Sequence, residues 1–194
     1  MGSSPYYART AGGTYWPKTG GASTRKWAVH SRARVDRRDF IDAKNRGVEQ
    51  LDKEIVSIRN RCVDPKIVLT GYSLGAWAID YSLIHRREHW PYIRGIVLYG
   101  DPQFYDKDLD FAGLARMWPM EPLNPAPPYE EIADRWLTLC LDKDPVCGRG
   151  YPGGNGQLDD AKTCDANPSC EHKKYVEKHK TMEGGEFLAS KAFQ

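Results

Sequence analysis

The sequence lacks an excess of charge of either sign, because its 28 lysines and arginines nearly balance its 26 aspartates and glutamates. Domains that bind the phosphate backbone of nucleic acids usually carry a clear basic excess. The chain also lacks any apolar run that approaches the length of a membrane span. We therefore expect neither a nucleic-acid partner nor a transmembrane segment.

The first residues of the chain lack the apolar core of a secretory signal. A signal was therefore either removed or never present. The length of 194 residues suits one well-buried domain and is short for two. We expect a single domain over residues 1–194, with residues 1–26 mostly irregular because they are rich in glycine, serine, threonine and tyrosine.

Cysteine is scarce in the first two thirds of the chain, where Cys62 stands alone. The other four cysteines lie within residues 140–170. Such clustering favours disulfides over scattered buried thiols. Because the total of five is odd, at least one cysteine has no partner within the chain.

A Gly-x-Ser-x-Gly motif at residues 71–75 stands between an apolar run at residues 67–69 and a strongly apolar stretch at residues 74–84. The first predicts a buried strand and the second a buried helix. The motif in this context is typical of a nucleophile elbow, in which Ser73 occupies a strained turn and the two glycines remove side chains that would collide. The alternative is an ordinary turn with a serine that caps the helix.

Further periodicity predicts an α/β fold of three layers, with a mostly parallel central sheet of four or five strands and helices on both faces. Strand, helix and strand around the motif follow each other at the spacing of a parallel crossover unit. The terminal helix is predicted to be interrupted at Gly184 and Gly185. The predicted helices cover residues 39–62, 74–84 and 173–193, and the predicted strands cover residues 6–8, 27–30, 66–70, 92–99 and 135–141.

A serine nucleophile needs a histidine base, and the histidine needs a carboxylate that holds its tautomer. In doubly wound sheets the catalytic groups lie past the carboxyl ends of strands, here in the chain order serine, acid, histidine. Asp142 and Asp144 follow the last predicted strand, and His172 and His179 come after them. Position narrows the candidates to these four residues, with His179 predicted in mid-helix and His172 in a loop. His30, His85 and His89 are interpreted as surface or capping residues.

Three separated motifs together resemble the cutinase family, which includes acetylxylan esterases and actinobacterial lipase-like members. The motifs lie at residues 71–76, at residues 99–102, and at residues 140–147 followed by residues 172–175. The resemblance implies an α/β-hydrolase fold with Ser73 as nucleophile, Asp144 as acid and His172 as base. It also implies a disulfide between Cys140 and Cys147.

The same resemblance assigns an oxyanion hole to the backbone N–H of Leu74, although the family usually has an amide side chain at that position. Residues 7–14 are similar to the family's oxyanion loop, so Thr10 or Thr14 is the candidate for the second donor, but the helix that should follow is missing. The family's partner for Cys62 is also missing. Cys62 is therefore predicted to be unpaired, with Cys164 and Cys170 bonded to each other.

By this resemblance the chain is a serine esterase that acts on lipid, polyester or acylated-polysaccharide esters, with no cofactor and no metal, outside the cell or at its envelope. One alternative is a phage lysin B-like esterase of mycolyl-arabinogalactan, which would reach the envelope without a secretory signal. A second is a hydrolase-fold binding or virion module that has lost catalysis. A zinc site made of Cys147, Cys164, Cys170 and His172 is disfavoured, because the gaps between these residues are long and uneven.

Overall fold

The computed structural model describes residues 7–11, 37–106, 111–112, 130–147, 164 and 167–192, and the side chains of 38–104, 130–147, 164 and 167–192. The helices and strands in chain order are β1 (Tyr7–Ala11), α1 (Arg37–Arg61), β2 (Ile67–Tyr72), α2 (Leu74–His85), β3 (Ile93–Tyr99), β4 (Tyr105–Asp106), β5 (Phe111–Ala112), β6 (Trp136–Leu139) and α3 (Lys180–Ala192). Short 3₁₀ helices cover Arg87–Tyr92, Glu130–Arg135 and Glu171–Lys173. The strand predicted at residues 27–30 lies outside the described residues.

In the described part of the chain, the central sheet has four strands in the order β1-β2-β3-β6, and all neighbouring strands pair in parallel. The carboxyl ends of the strands therefore lie at one edge, which is where ligands bind in open α/β sheets. At this edge Ala11, the last residue of β1, is in register with Gly71 of β2. The predicted parallel sheet is confirmed. β4 and β5 form a separate antiparallel pair.

The side chains of β3 alternate between two apolar layers, as a strand buried on both faces requires. Ile96 and Leu98 pack with residues of α1, α2 and β2. Val97 and Tyr99 pack in a second cluster, against which Phe187 and Leu188 of α3 also lie. Helices thus cover both faces of the sheet. Within the described part of the chain, every helix is too short or too polar to cross a bilayer.

His89 is predicted to be a surface or capping residue, but the structure buries it to 2% exposure inside the 3₁₀ helix Arg87–Tyr92, so that prediction is wrong. Its Nε2 lies 3.5 Å from Oδ1 of Asp52 on α1. The same carboxylate accepts hydrogen bonds from Ser82 Oγ at 2.6 Å and Arg86 Nε at 3.2 Å. Burial opposes ionisation, but the close imidazole of His89 and the bonds from Ser82 and Arg86 hold the pKa of Asp52 below its usual value. The cluster fastens α1 to the end of α2.

The terminal helix differs from its prediction in two ways. α3 begins at Lys180 rather than at residue 173, and it continues without interruption through Gly184 and Gly185. Gly184 is buried, and a Cβ there would overlap the Tyr99 hydroxyl and lie 2.7 Å from Val97 Cγ1. This glycine does not break the helix. It allows α3 to approach β3 closely.

We expect the substitution Gly184→Ala to lower the free energy of unfolding by about 2–3 kcal/mol, because the new methyl group overpacks the contact between α3 and β3. Gly185→Ala is the matched control, since nothing lies within 4 Å of a Cβ at that position. There alanine should raise the same free energy by up to about 1 kcal/mol through helix propensity. Urea denaturation of both variants measures the difference. Equal effects of the two substitutions would contradict the close-approach explanation.

Candidate active site

Ser73 directly follows β2 at the carboxyl edge of the sheet, and its φ of 56° and ψ of −124° are strained for a residue with a side chain. Its backbone N–H donates to the carbonyl of Tyr99 at 2.8 Å, and its carbonyl accepts from Trp77 N at 3.1 Å. A Cβ on Gly71 would lie 2.7 Å from Ala76 N. The strained turn predicted from the motif is therefore present. Ser73 stands at the N-cap position of α2 but makes no side-chain capping bond, so its hydroxyl does not cap the helix.

Asp144 lies in the loop that the Cys140–Cys147 disulfide closes, and it is fully buried. Its backbone N–H donates to the carbonyl of Leu141 at 3.0 Å, and its Oδ1 accepts from the backbone N–H of Val146 at 2.8 Å. These bonds fix the direction of the carboxylate. A covalently closed and internally bonded loop presents the acid in one orientation.

His172 lies in the 3₁₀ helix Glu171–Lys173 and is buried to 7% exposure. Its Nδ1 lies 2.8 Å from Oδ2 and 3.0 Å from Oδ1 of Asp144. The carboxylate therefore selects the tautomer with the proton on Nδ1, which leaves Nε2 as an acceptor. Among the described residues, Nε2 is buried and has no hydrogen-bond partner. Ser73 Oγ and this nitrogen are thus not hydrogen-bonded to each other.

Tyr72 connects the serine turn to the histidine segment. Its hydroxyl donates to the carbonyl of His172 at 2.7 Å, and the two rings stack with centroids 4.7 Å apart. Because Tyr72 directly precedes Ser73, this contact holds the base segment next to the nucleophile turn. The motif predicts no role for Tyr72, since the second position of Gly-x-Ser-x-Gly carries no chemical signal of its own.

Gly100 fits between the serine turn and the acid and base. It has a φ of 58°, and a Cβ there would lie 2.6 Å from His172 Cε1 and 3.0 Å from Asp144 Oδ2. Both its backbone conformation and the space around it require glycine. The resemblance singled out residues 99–102 as a motif but gave no reason for this glycine.

The other two candidates do not join the site. Asp142 is exposed two residues before Asp144. His179 is exposed and has a φ of 57° at the residue before α3, so its predicted place in mid-helix is wrong. Of the four candidates, Asp144 and His172 are hydrogen-bonded to each other.

Ion pairs and burial set the charge around the base. Hydrogen bonds from Lys178 and Lys174 hold the pKa of Glu171 below its usual value, and Lys174 Nζ lies 2.9 Å from its carboxylate. Burial raises the pKa of Tyr99 to about 12. Glu171, the residue before His172, is therefore an ionised carboxylate paired with lysine ammonium groups. The phenol of the nearby Tyr99 stays protonated.

The remaining three cysteines form the one expected disulfide and leave the expected free thiol. Cys164 is bonded to Cys170, and Cys62 is free and half-buried. The zinc alternative loses its thiolates, because Cys147, Cys164 and Cys170 are all oxidised. In the described residues, no three histidine, cysteine, aspartate or glutamate side chains are grouped as a metal ion requires.

The second oxyanion donor stays a prediction. The backbone of Thr10 pairs with Thr70 in the sheet, which brings the end of β1 beside the serine turn. The side chain of Thr10 lies outside the described side chains, and Thr14 lies outside the described residues. Residues 12–36, where the family has its next helix, also lie outside the described residues.

A match to a protein-family model assigns the chain that carries this site to a family. The model of the cutinase family matches residues 18–192, which is most of the chain. The chain belongs to the cutinase family. The resemblance inferred from the three motifs is thereby confirmed.

Individual members of the cutinase family and solved structures agree with this assignment. The probable carboxylesterase Culp2 of Mycobacterium tuberculosis is 28% identical over 146 residues, which cover 75% of this chain and 57% of that protein. The Culp2 protein of Mycobacterium bovis gives the same figures. This chain thus spans just over half the length of the curated relatives it matches.

Two solved structures show the same fold. A cutinase-like protein from Cryptococcus sp. has a TM-score of 0.56 and 18% identity, covering 81% of this chain and 76% of that one. The catalytic core domain of an acetyl xylan esterase from Trichoderma reesei has a TM-score of 0.53 and 18% identity, with 78% and 72% covered. The predicted cutinase-like α/β-hydrolase fold is confirmed.

Proposed function

We propose that this chain is a serine esterase that hydrolyses carboxylic esters, with Ser73 as nucleophile, His172 as general base and Asp144 as the acid that orients it. The observation that carries the proposal is the buried hydrogen bond between Asp144 and His172, beside a serine in a strained turn. Membership of the cutinase family supports ester hydrolysis. The relative named as a probable carboxylesterase supports it as well.

The proposed reaction has two steps. His172 Nε2 takes the proton from Ser73 as its Oγ bonds to the ester carbonyl carbon, and the oxyanion that forms accepts a hydrogen bond from Leu74 N–H. When this intermediate collapses, the bond to the alcohol oxygen breaks and the alcohol leaves with the proton from His172. Water then repeats the sequence on the acyl-enzyme and releases the carboxylic acid. Thr10 or Thr14 supplies the second oxyanion donor in this proposal.

We propose a lipid, polyester or acylated-polysaccharide ester as the substrate, and a place outside the cytoplasm. The two disulfides support this location, because disulfides persist in oxidising environments. The phage lysin B-like variant with a mycolyl ester substrate stays a prediction. An ester chain-length series beside a mycolyl-arabinogalactan preparation would distinguish these substrates.

A fluorophosphonate probe tests the proposed nucleophile, because such a probe phosphonylates an activated serine. We expect the wild-type protein to be labelled once, with the added mass on the peptide that contains Ser73, and Ser73→Ala to stay unlabelled. Ser190→Ala is the control, since Ser190 is an exposed serine of α3 whose hydroxyl donates to the Phe187 carbonyl of the same helix, and this variant should label like the wild type. A folded wild-type protein that takes no label would favour the non-catalytic binding module.

A further inference from the structure

The hydroxyl of Tyr175 lies where the acid loop meets the segment that carries the base. Tyr175 is buried to 3% exposure. Its hydroxyl donates to Asp144 Oδ2 at 2.7 Å, accepts from the backbone N–H of Leu141 at 3.2 Å, and lies 3.5 Å from Cys147 Sγ. One phenol thus contacts the beginning, the middle and the end of the disulfide-closed loop.

The direction of the bond to Asp144 follows from the donors present. The Leu141 N–H occupies a lone pair of the phenol oxygen, so the single hydroxyl proton is free to point at the carboxylate. Burial, and then the charge of Asp144, raise the pKa of Tyr175 far above its usual value. The phenol therefore keeps its proton throughout the pH range in which an esterase works.

His172 and Tyr175 donate to the same carboxylate oxygen. Asp144 Oδ2 accepts from His172 Nδ1 at 2.8 Å and from the Tyr175 hydroxyl at 2.7 Å. A carboxylate that is already stabilised by a neutral donor attracts the imidazolium proton less strongly. The phenol therefore competes with the base for the negative charge of the acid.

We propose that Tyr175 is a positioning residue that orients Asp144 and sets the pH at which His172 becomes available as a base. This proposal rests on the proposed esterase function. The spacing of three residues places both donors on one short segment, Glu171–Lys173 and the turn that follows it. Movement of that segment would then change both bonds to Asp144 together.

The other titratable and charged groups near the pair do not donate a third hydrogen bond to the carboxylate. Tyr72 of β2 donates to the His172 carbonyl. Tyr99 of β3 contacts the Tyr175 ring edge-on, with centroids 5.7 Å apart. Glu171, on the segment of the base, is ion-paired with Lys174 and Lys178. In the described part of the chain, the side chains that hydrogen-bond to Asp144 are those of His172 and Tyr175.

The substitution Tyr175→Phe tests the proposal, because it keeps the ring and removes the hydroxyl. We expect the acid limb of the pH profile of kcat/KM to move upward by about half a pH unit, and kcat near neutral pH to fall about tenfold with little change in KM. Tyr99→Phe is the matched control. It removes a second buried hydroxyl from a neighbouring ring without touching Asp144, so its acid limb should stay at the wild-type pH.

A proton NMR measurement separates this proposal from the esterase proposal. The Nδ1 proton of His172 should resonate at low field, and Tyr175→Phe should move it further downfield while Tyr99→Phe leaves it in place. A wild-type protein without esterase activity would overturn the proposed function, and the NMR comparison would still decide the role of Tyr175. An unchanged acid limb and an unchanged proton resonance in folded Tyr175→Phe would overturn the positioning role.

Discussion

Replacing His172 by alanine is expected to lower kcat/KM for ester hydrolysis by about 10⁴-fold or more, because the proposed nucleophile then has no base to take its proton. KM should change little, since the imidazole acts mainly in the transition state. The buried bond to Asp144 gives the reason for choosing this histidine. Hydrolysis of a series of p-nitrophenyl esters, measured at several pH values, provides the rates.

The control for this substitution is His179→Ala. It removes an exposed imidazole seven positions away that itself makes no described contact with Asp144, so the variant should keep its rate within about twofold. Circular dichroism and urea denaturation would establish that both variants are folded. A fully active His172→Ala, or an inactive but folded His179→Ala, would show that the base is assigned to the wrong residue.

The second large effect is expected for Gly100→Ala. Alanine at a φ of 58° costs about 1 kcal/mol, and its methyl group would lie 2.6 Å from His172 Cε1. Relief requires the imidazole to move away from Asp144, so we expect kcat/KM to fall by about 100-fold or more even where the protein stays folded. The overpacking should also lower the free energy of unfolding by about 2–4 kcal/mol.

Kinetics and urea denaturation of the same Gly100→Ala preparation check both effects. The proton resonance of His172 Nδ1 should shift or broaden, which reports the displaced ring directly. Gly185→Ala serves again as the control, because it adds the same methyl group at an exposed position with no neighbour within 4 Å. A Gly100→Ala variant with wild-type kinetics would mean that the site tolerates a displaced imidazole.

The serine turn was predictable because its determinants are local. A strand, two glycines around Ser73 and a helix lie within about twenty residues, and the strain follows from their order. The choice between Asp142 and Asp144 is different in kind. The two residues stand next to the same strand end, and only the packing of the distant segment around His172 buries one and exposes the other. Position along the chain therefore does not distinguish Asp142 from Asp144. The resemblance of residues 140–147 to the family motif does distinguish them.

Two predictions from the sequence are wrong because of tertiary contacts. His89 has a polar local sequence, and nothing near it reveals that Asp52, on another helix, lies close to its imidazole. Gly184 has a low helix propensity, which predicts an interruption, but the contact with Tyr99 makes glycine the residue that fits inside a continuous helix. In both cases a partner distant in sequence overrides the local signal.

The contact between Tyr72 and His172 joins residues that are 100 positions apart in the chain. The segment with His172 lies outside the β-ladder, and side chains rather than strand pairing fasten it to the sheet. We expect such a segment to open at a lower free energy than the core. The catalytic competence that we propose would then belong to a small sub-global unit, which is lost and regained while the sheet and its helices remain folded. The working lifetime of the proposed esterase would accordingly depend on a few hydrogen bonds at one edge more than on the stability of its core.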